Sequence, residues 1–93
     1  MMNTIHKYQI PADKEATRLD MPEGARILSV QIQRDVPCIW ALVDTKAKLM
    51  PRTFVWVKTG ADMSDSADLS SVIFIETVQF WAGILVLHLF EVQ

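Results

Sequence analysis

The sequence predicts an all-β fold of about seven antiparallel strands, arranged as a sandwich or a small barrel, with at most one short helical turn. Two observations predict it. Short apolar runs rich in Val, Ile, Phe and Trp recur along the chain, separated by clusters of Pro, Gly, Asp and Ser. Within several runs apolar and polar residues alternate strictly, the period of a half-buried strand. Many short strands at regular spacing pack as two sheets or a closed one.

Thr4 to Ile10 reads as the first strand, halted by Pro11, and Ala12 to Glu15 as a polar turn or one helical turn capped by Asp13. Thr17, Leu19 and Met21 alternate with Arg18 and Asp20, a half-exposed second strand before the turn Pro22-Glu23-Gly24. Ala25 to Gln33 sets Leu28, Val30 and Ile32 on one face against Ser29, Gln31 and Gln33 on the other. Arg34-Asp35-Val36 reads as a hairpin loop into Pro37 to Asp44, where Pro37 must lie at a strand start or edge. Thr45 to Met50 is polar and stops at Pro51. Arg52 to Thr59 then places Phe54 and Trp56 opposite Val55 and Val57, and Gly60 closes the strand. Gly60 to Ser71 is the one long loop. Val72 to Phe80 and Ile84 to Val92 form a final hairpin through Trp81-Ala82-Gly83. A helix over Phe80 to Phe90 is the rival reading, because that stretch is too evenly apolar to show a period.

At 93 residues the chain is one domain, residues 1–93, with a thin core. Its 51% hydrophobic content exceeds what such a core needs, which points to a subunit or partner interface and hence to a homo-oligomer. A net charge of −2 with no concentration of Lys or Arg disfavours polymeric nucleic acid as ligand. The single cysteine, Cys38, cannot form an internal disulfide and fits a reducing compartment. No long apolar run follows the charged start, and Phe80 to Phe90 is too short to span a bilayer. The expectation is a soluble, cytoplasmic protein with no membrane partner.

Signatures of chemistry are missing. His6 and His88 lie in the first and last strands without a third metal-ligand pattern, and Cys38 sits in an apolar strand as a small hydrophobe. Asp62, Asp65 and Asp68 recur every third residue, unlike the alternate spacing of a calcium loop. There is no Gly-x-Ser-x-Gly elbow, and Gly24, Gly60 and Gly83 are too far apart to cradle a phosphate. The sequence therefore predicts no catalytic residues, no metal site, no cofactor and no enzyme.

The aromatics point to binding. Trp81 stands at a predicted hairpin tip, where core packing is least expected, and is the candidate partner-interface residue. Trp56 shares a strand with Lys58 near Arg52, and an aromatic face beside cations suits a nucleobase and its phosphate. Arg26, Arg34, Arg52, Trp40 and Trp56 are the candidate ligand-binding residues.

Met21 to Gln31, Val36 to Asp44, Arg52-Thr53-Phe54, Thr59-Gly60 and Leu87 to Glu91 together resemble a small domain of unknown function common in tailed phages and prophages. Members often carry an Asn-Gly turn before the Val36-Pro37 position, where this chain has Arg34-Asp35, which puts a tight two-residue turn in question. The resemblance implies a setting rather than a mechanism. Small non-enzymatic phage proteins often act against host defences, by capping a defence protein or by sequestering a nucleotide signal. The expectation is a binding protein of that kind, acting as a homo-oligomer. The alternative is a structural or assembly component of a phage particle.

Overall fold

A computed structural model of the chain describes residues 2–64 and 71–93. Seven strands occupy most of them: β1 (Asn3–Gln9), β2 (Ala16–Pro22), β3 (Arg26–Gln33), β4 (Val36–Asp44), β5 (Leu49–Lys58), β6 (Val72–Phe80) and β7 (Leu85–Val92). They form two antiparallel sheets, one ordered β1-β4-β3 and the other β2-β5-β7-β6. The architecture is an open sandwich only 17 Å across its thinnest dimension, so the barrel alternative does not apply. The Phe80 to Phe90 stretch is a hairpin and not a helix, and Ala12 to Glu15 is a turn. Among the described residues no helix is long and apolar enough to cross a membrane.

Alternation explains the core. Ile39, Ala41 and Val43 of β4 face Phe54 and Trp56 of β5 and Leu87 and Leu89 of β7, all buried and in one cluster with Ile10, Met21 and Val30. Each has a neighbour two residues away on the same face. β5 and β6 both run antiparallel to β7. They are therefore parallel to each other.

Three local departures from simple alternation matter. β3 carries a register shift between Ile27 and Ser29, so Leu28 does not share the inner face with Val30 and Ile32 but is exposed. β6 carries a matching shift between Phe74 and Glu76. A bulge adds one residue and re-aims the side chains beyond it, without needing glycine. Third, β5 begins at Leu49 and runs through Pro51, which faces Asp20 of β2. Backbone bonds flank this ladder at Glu23 (to Lys48 O, 2.8 Å) and Glu15 (from Trp56 N–H, 2.9 Å). Odd-numbered residues of β2 thus make the bonds. Pro51 lies opposite an even one, where an N–H would point away from β2. β7 reaches only Thr53, so nothing lacks that donor.

Candidate functional site

The two ends of the sandwich differ in kind. At one end Arg52 of β5 lies on the inner face, two residues before Phe54, and is half-buried. Its Nε donates to Glu91 Oε2 at 2.6 Å, its Nη2 to Oε1 at 2.8 Å and its Nη1 to the Ala25 carbonyl at 2.6 Å. This fork ties β5 to β7 and to the turn before β3, with the guanidinium 6.0 Å from the Phe54 ring centre. Hydrogen bonding to Glu91 holds Arg52 above its ordinary pKa, against the opposing effect of burial.

At the other end the β1–β2 turn and the hairpins β3–β4 and β6–β7 converge on an open groove of about 480 Å³. Pro11, Val36, Pro37, Phe80 and Leu85 supply its apolar wall, while Gln9, Asp13 and Asp35 supply its polar atoms. Trp81 stands at the rim, 68% exposed, with its ring centre 6.0 Å from that of Phe80. Ile84, at the same tip, is 83% exposed.

The backbone of this end is strained. Among the described residues four non-glycine positions have positive φ: Arg34 (51°), Asp35 (67°), Trp81 (52°) and Ala82 (55°). All four lie in the two hairpins that border the groove. Each costs on the order of 1 kcal/mol in a left-handed conformation. Arg34-Asp35 is a true two-residue turn despite lacking Asn-Gly, because two positive φ values match the right-handed twist of β3 and β4. The second tip needs a third such residue, and Gly83 (φ 90°) supplies it.

The five residues expected to bind a ligand fall into two groups. Arg52 and Trp56 share a strand face, as alternation requires, but that face is the interior: Arg52 is committed to Glu91, and Trp56 is buried. Trp56 Nε1 has no hydrogen-bond partner among the described residues. Arg26 and Trp40 lie on the outer face of the three-stranded sheet, with Arg34 at the exposed turn beyond it. On that face Trp40, half-buried, is flanked by Lys7 of β1 and Ser29 of β3, with Cys38 and Leu42 along its own strand. Lys7 donates to Gln33 at 2.9 Å. Cys38 is buried in this outer layer, outside the hydrophobic cluster, with its Sγ 3.5 Å from the Val36 carbonyl.

The model of one protein family, Domain of unknown function (DUF7352), matches residues 1–93. The chain belongs to that family. No curated protein and no solved structure matches it. The family match covers both ends of the sandwich and both sheets, and its description assigns no activity to any of them.

The remaining chemical candidates are accounted for locally. His88 sits on the outer face of β7 between two hydroxyls, with Thr59 Oγ1 2.7 Å from Nε2 and Thr77 Oγ1 2.8 Å from Nδ1. His6 lies on exposed β1, its Nδ1 3.5 Å from the Tyr8 hydroxyl. Burial pushes the Tyr8 phenol above its ordinary pKa. Asp62 accepts from the hydroxyl and N–H of Ser64, which lowers its carboxyl below the usual range. Asp65 and Asp68 lie outside the described residues. Among the described ones no three His, Cys, Asp or Glu side chains converge as metal ligands. The wall of the Trp81 groove, from Pro11 to Leu85, is hidden in the sequence because its members come from three separate stretches of chain. The prolines that begin and end β-runs at Pro11 and Pro37 are its one visible signal.

Proposed function

We propose that this domain is a non-enzymatic binding module that caps a partner protein, and that the groove beside Trp81 is where it does so. One observation carries the reading: an exposed tryptophan is held over an apolar groove by hairpins whose backbone strain clusters at that end. Strain of this kind persists where it presents something, and tryptophan is the side chain on which interface energy most often concentrates. The wall accepts an apolar side chain, and Asp13 and Asp35 favour a basic residue next to it.

The resemblance to small phage and prophage proteins supports the setting of this proposal. The partner is a host-defence protein in the cytoplasm of the host cell, and capping it inhibits the defence. A second reading rests on the outer face of the three-stranded sheet. There Trp40, Lys7 and Arg26 share a surface whose carboxylate, Asp44, lies at the Arg26 end, two residues beyond the Leu42 that Arg26 faces. A base stacked on Trp40 with its phosphate toward the cations would make the domain a nucleotide sponge. Arg52 and Trp56, engaged elsewhere, would take no part.

The test is Trp81→Asp expressed in defence-active cells, alongside native mass spectrometry of the wild type purified from them. Restored defence by Trp81→Asp, with a melting curve like the wild type, is the result expected. Full inhibition by Trp81→Asp would overturn the capping reading. An added mass of a few hundred daltons, lost on nuclease treatment, would replace it with the sponge. Co-sedimentation with virions and no effect on defence would instead mark a particle component.

A further inference from the structure

We propose that β1 is an assembly edge, along which two copies of this chain pair antiparallel about a twofold axis at His6 to make one continuous six-stranded sheet.

The four edge strands are β1 and β3 of one sheet and β2 and β6 of the other. Exposed edges invite pairing with another chain, and folded proteins blunt them with proline, bulges, charges or cover. β3 and β6 each carry a bulge, and they run alongside one another across the open side of the sandwich. β2 ends in Pro22 and carries the Arg18–Asp20 ion pair, 3.6 Å, on its edge-pointing residues. β1 has no proline, bulge or cover, and its one charge is Lys7. The strand pairs with β4 in unbroken register from Asn3 to Gln9 and has substantial contact with β4 alone. Six of its seven residues are exposed, including Ile5 at 57%.

The direction of its backbone groups comes from the two bonds that bracket this ladder. Ile10 N–H donates to Pro37 O at 2.9 Å and Thr45 N–H to Met2 O at 3.0 Å. Even-numbered residues of β1 therefore bond to β4, and Asn3, Ile5, Lys7 and Gln9 turn their N–H and C=O toward the open edge.

The occupant is a second copy because the strand complements itself. With the axis at His6, the midpoint of β1, Asn3 faces Gln9 of the other copy, Thr4 faces Tyr8 and Ile5 faces Lys7. All seven residues overlap, and the four edge-pointing residues of each strand form four hydrogen-bonded pairs with two bonds apiece. The one charge, Lys7, meets Ile5 rather than its own copy. Moving the axis to Lys7 sets two lysines face to face and shortens the overlap, and moving it to Ile5 also shortens it. His6 then opposes His6 in a non-hydrogen-bonded pair, with Cα atoms about 4.5 Å apart. This surface shares only Gln9 with the Trp81 groove, and Ile5 and His6 lie outside that groove, so variants there and at Trp81 test assembly and capping independently.

Two variants and a control test it. Ile5→Pro removes only an edge-pointing N–H and leaves the β1–β4 ladder intact. By sedimentation velocity it should weaken a wild-type dimer by about a hundredfold or more, with an unchanged circular dichroism spectrum. His6→Cys should form a disulfide-linked dimer under mild oxidation, since the pair distance falls in the bridging range, and Cys38 is too buried to compete. Trp81→Asp should dimerise like the wild type. A wild-type monomer at high micromolar concentration overturns the proposal. So does a dimer that survives Ile5→Pro, or one in which His6→Cys fails to cross-link.

Discussion

One end of this sandwich is closed by satisfied polar groups, and the other is held open by strained backbone around apolar side chains. At the Arg52 end, a bidentate ion pair and a carbonyl contact lock two strands and a turn together. At the Trp81 end, two hairpins bear the non-glycine positive φ angles of the described residues and display Trp81 and Ile84 to solvent. The same two sheets support both ends, so the difference lies in what the connections do. Stability is concentrated where chain segments are cross-linked, and recognition is proposed where stability has been given up.

Mutations should separate the two ends, beginning with the core between them. Trp56→Ala removes a fully packed aromatic and should cost about 3–5 kcal/mol. Trp40→Ala, from an open sheet face, should cost about 1–2 kcal/mol. Equal losses in urea denaturation would mean that Trp40 is core after all. Next comes the ion pair. Glu91→Ala strands a guanidinium that is about three-quarters shielded, and should cost roughly 2–4 kcal/mol. Replacing both partners, as Arg52→Met with Glu91→Leu, should restore most of that loss, because no buried charge remains. A double variant as unstable as the single would show that the Arg52 bond to Ala25, not the pair, closes this end.

Seven strands and two hairpins were legible because alternation and turn residues act locally. The assignment of strands to sheets was not, since β1 joins β4 across the whole of β2 and β3. Neither bulge carries a signature: Leu28 and Ile75 are ordinary strand residues whose displacement depends on the facing edges of β3 and β6. Arg52 shows how a correct local reading can mislead. Its spacing from Phe54 and Trp56 puts all three on one face, but the same spacing makes that face the buried one. A buried arginine needs a carboxylate, and Glu91 lies 39 residues away, beyond any local pattern. The groove is legible only in three dimensions.

The smallest expected effects concern the strained tips and bear most directly on why that end is open. Ala82 holds φ at 55° with no side-chain atom to compensate, so Ala82→Gly should stabilise the protein by about 0.5–1 kcal/mol. Asp35, at φ 67°, should gain less from Asp35→Gly, because a short polar side chain tolerates the left-handed region better than alanine does. Glycine also frees the tip to leave that conformation, so Ala82→Gly should loosen the presentation of Trp81 even as the fold gains stability. Thermal melts measure the first effect, and inhibition of the proposed partner measures the second. A gain in stability with no loss of inhibition would mean that the strain is incidental to Trp81. Opposite changes in the two would tie the cost of this hairpin to what it displays.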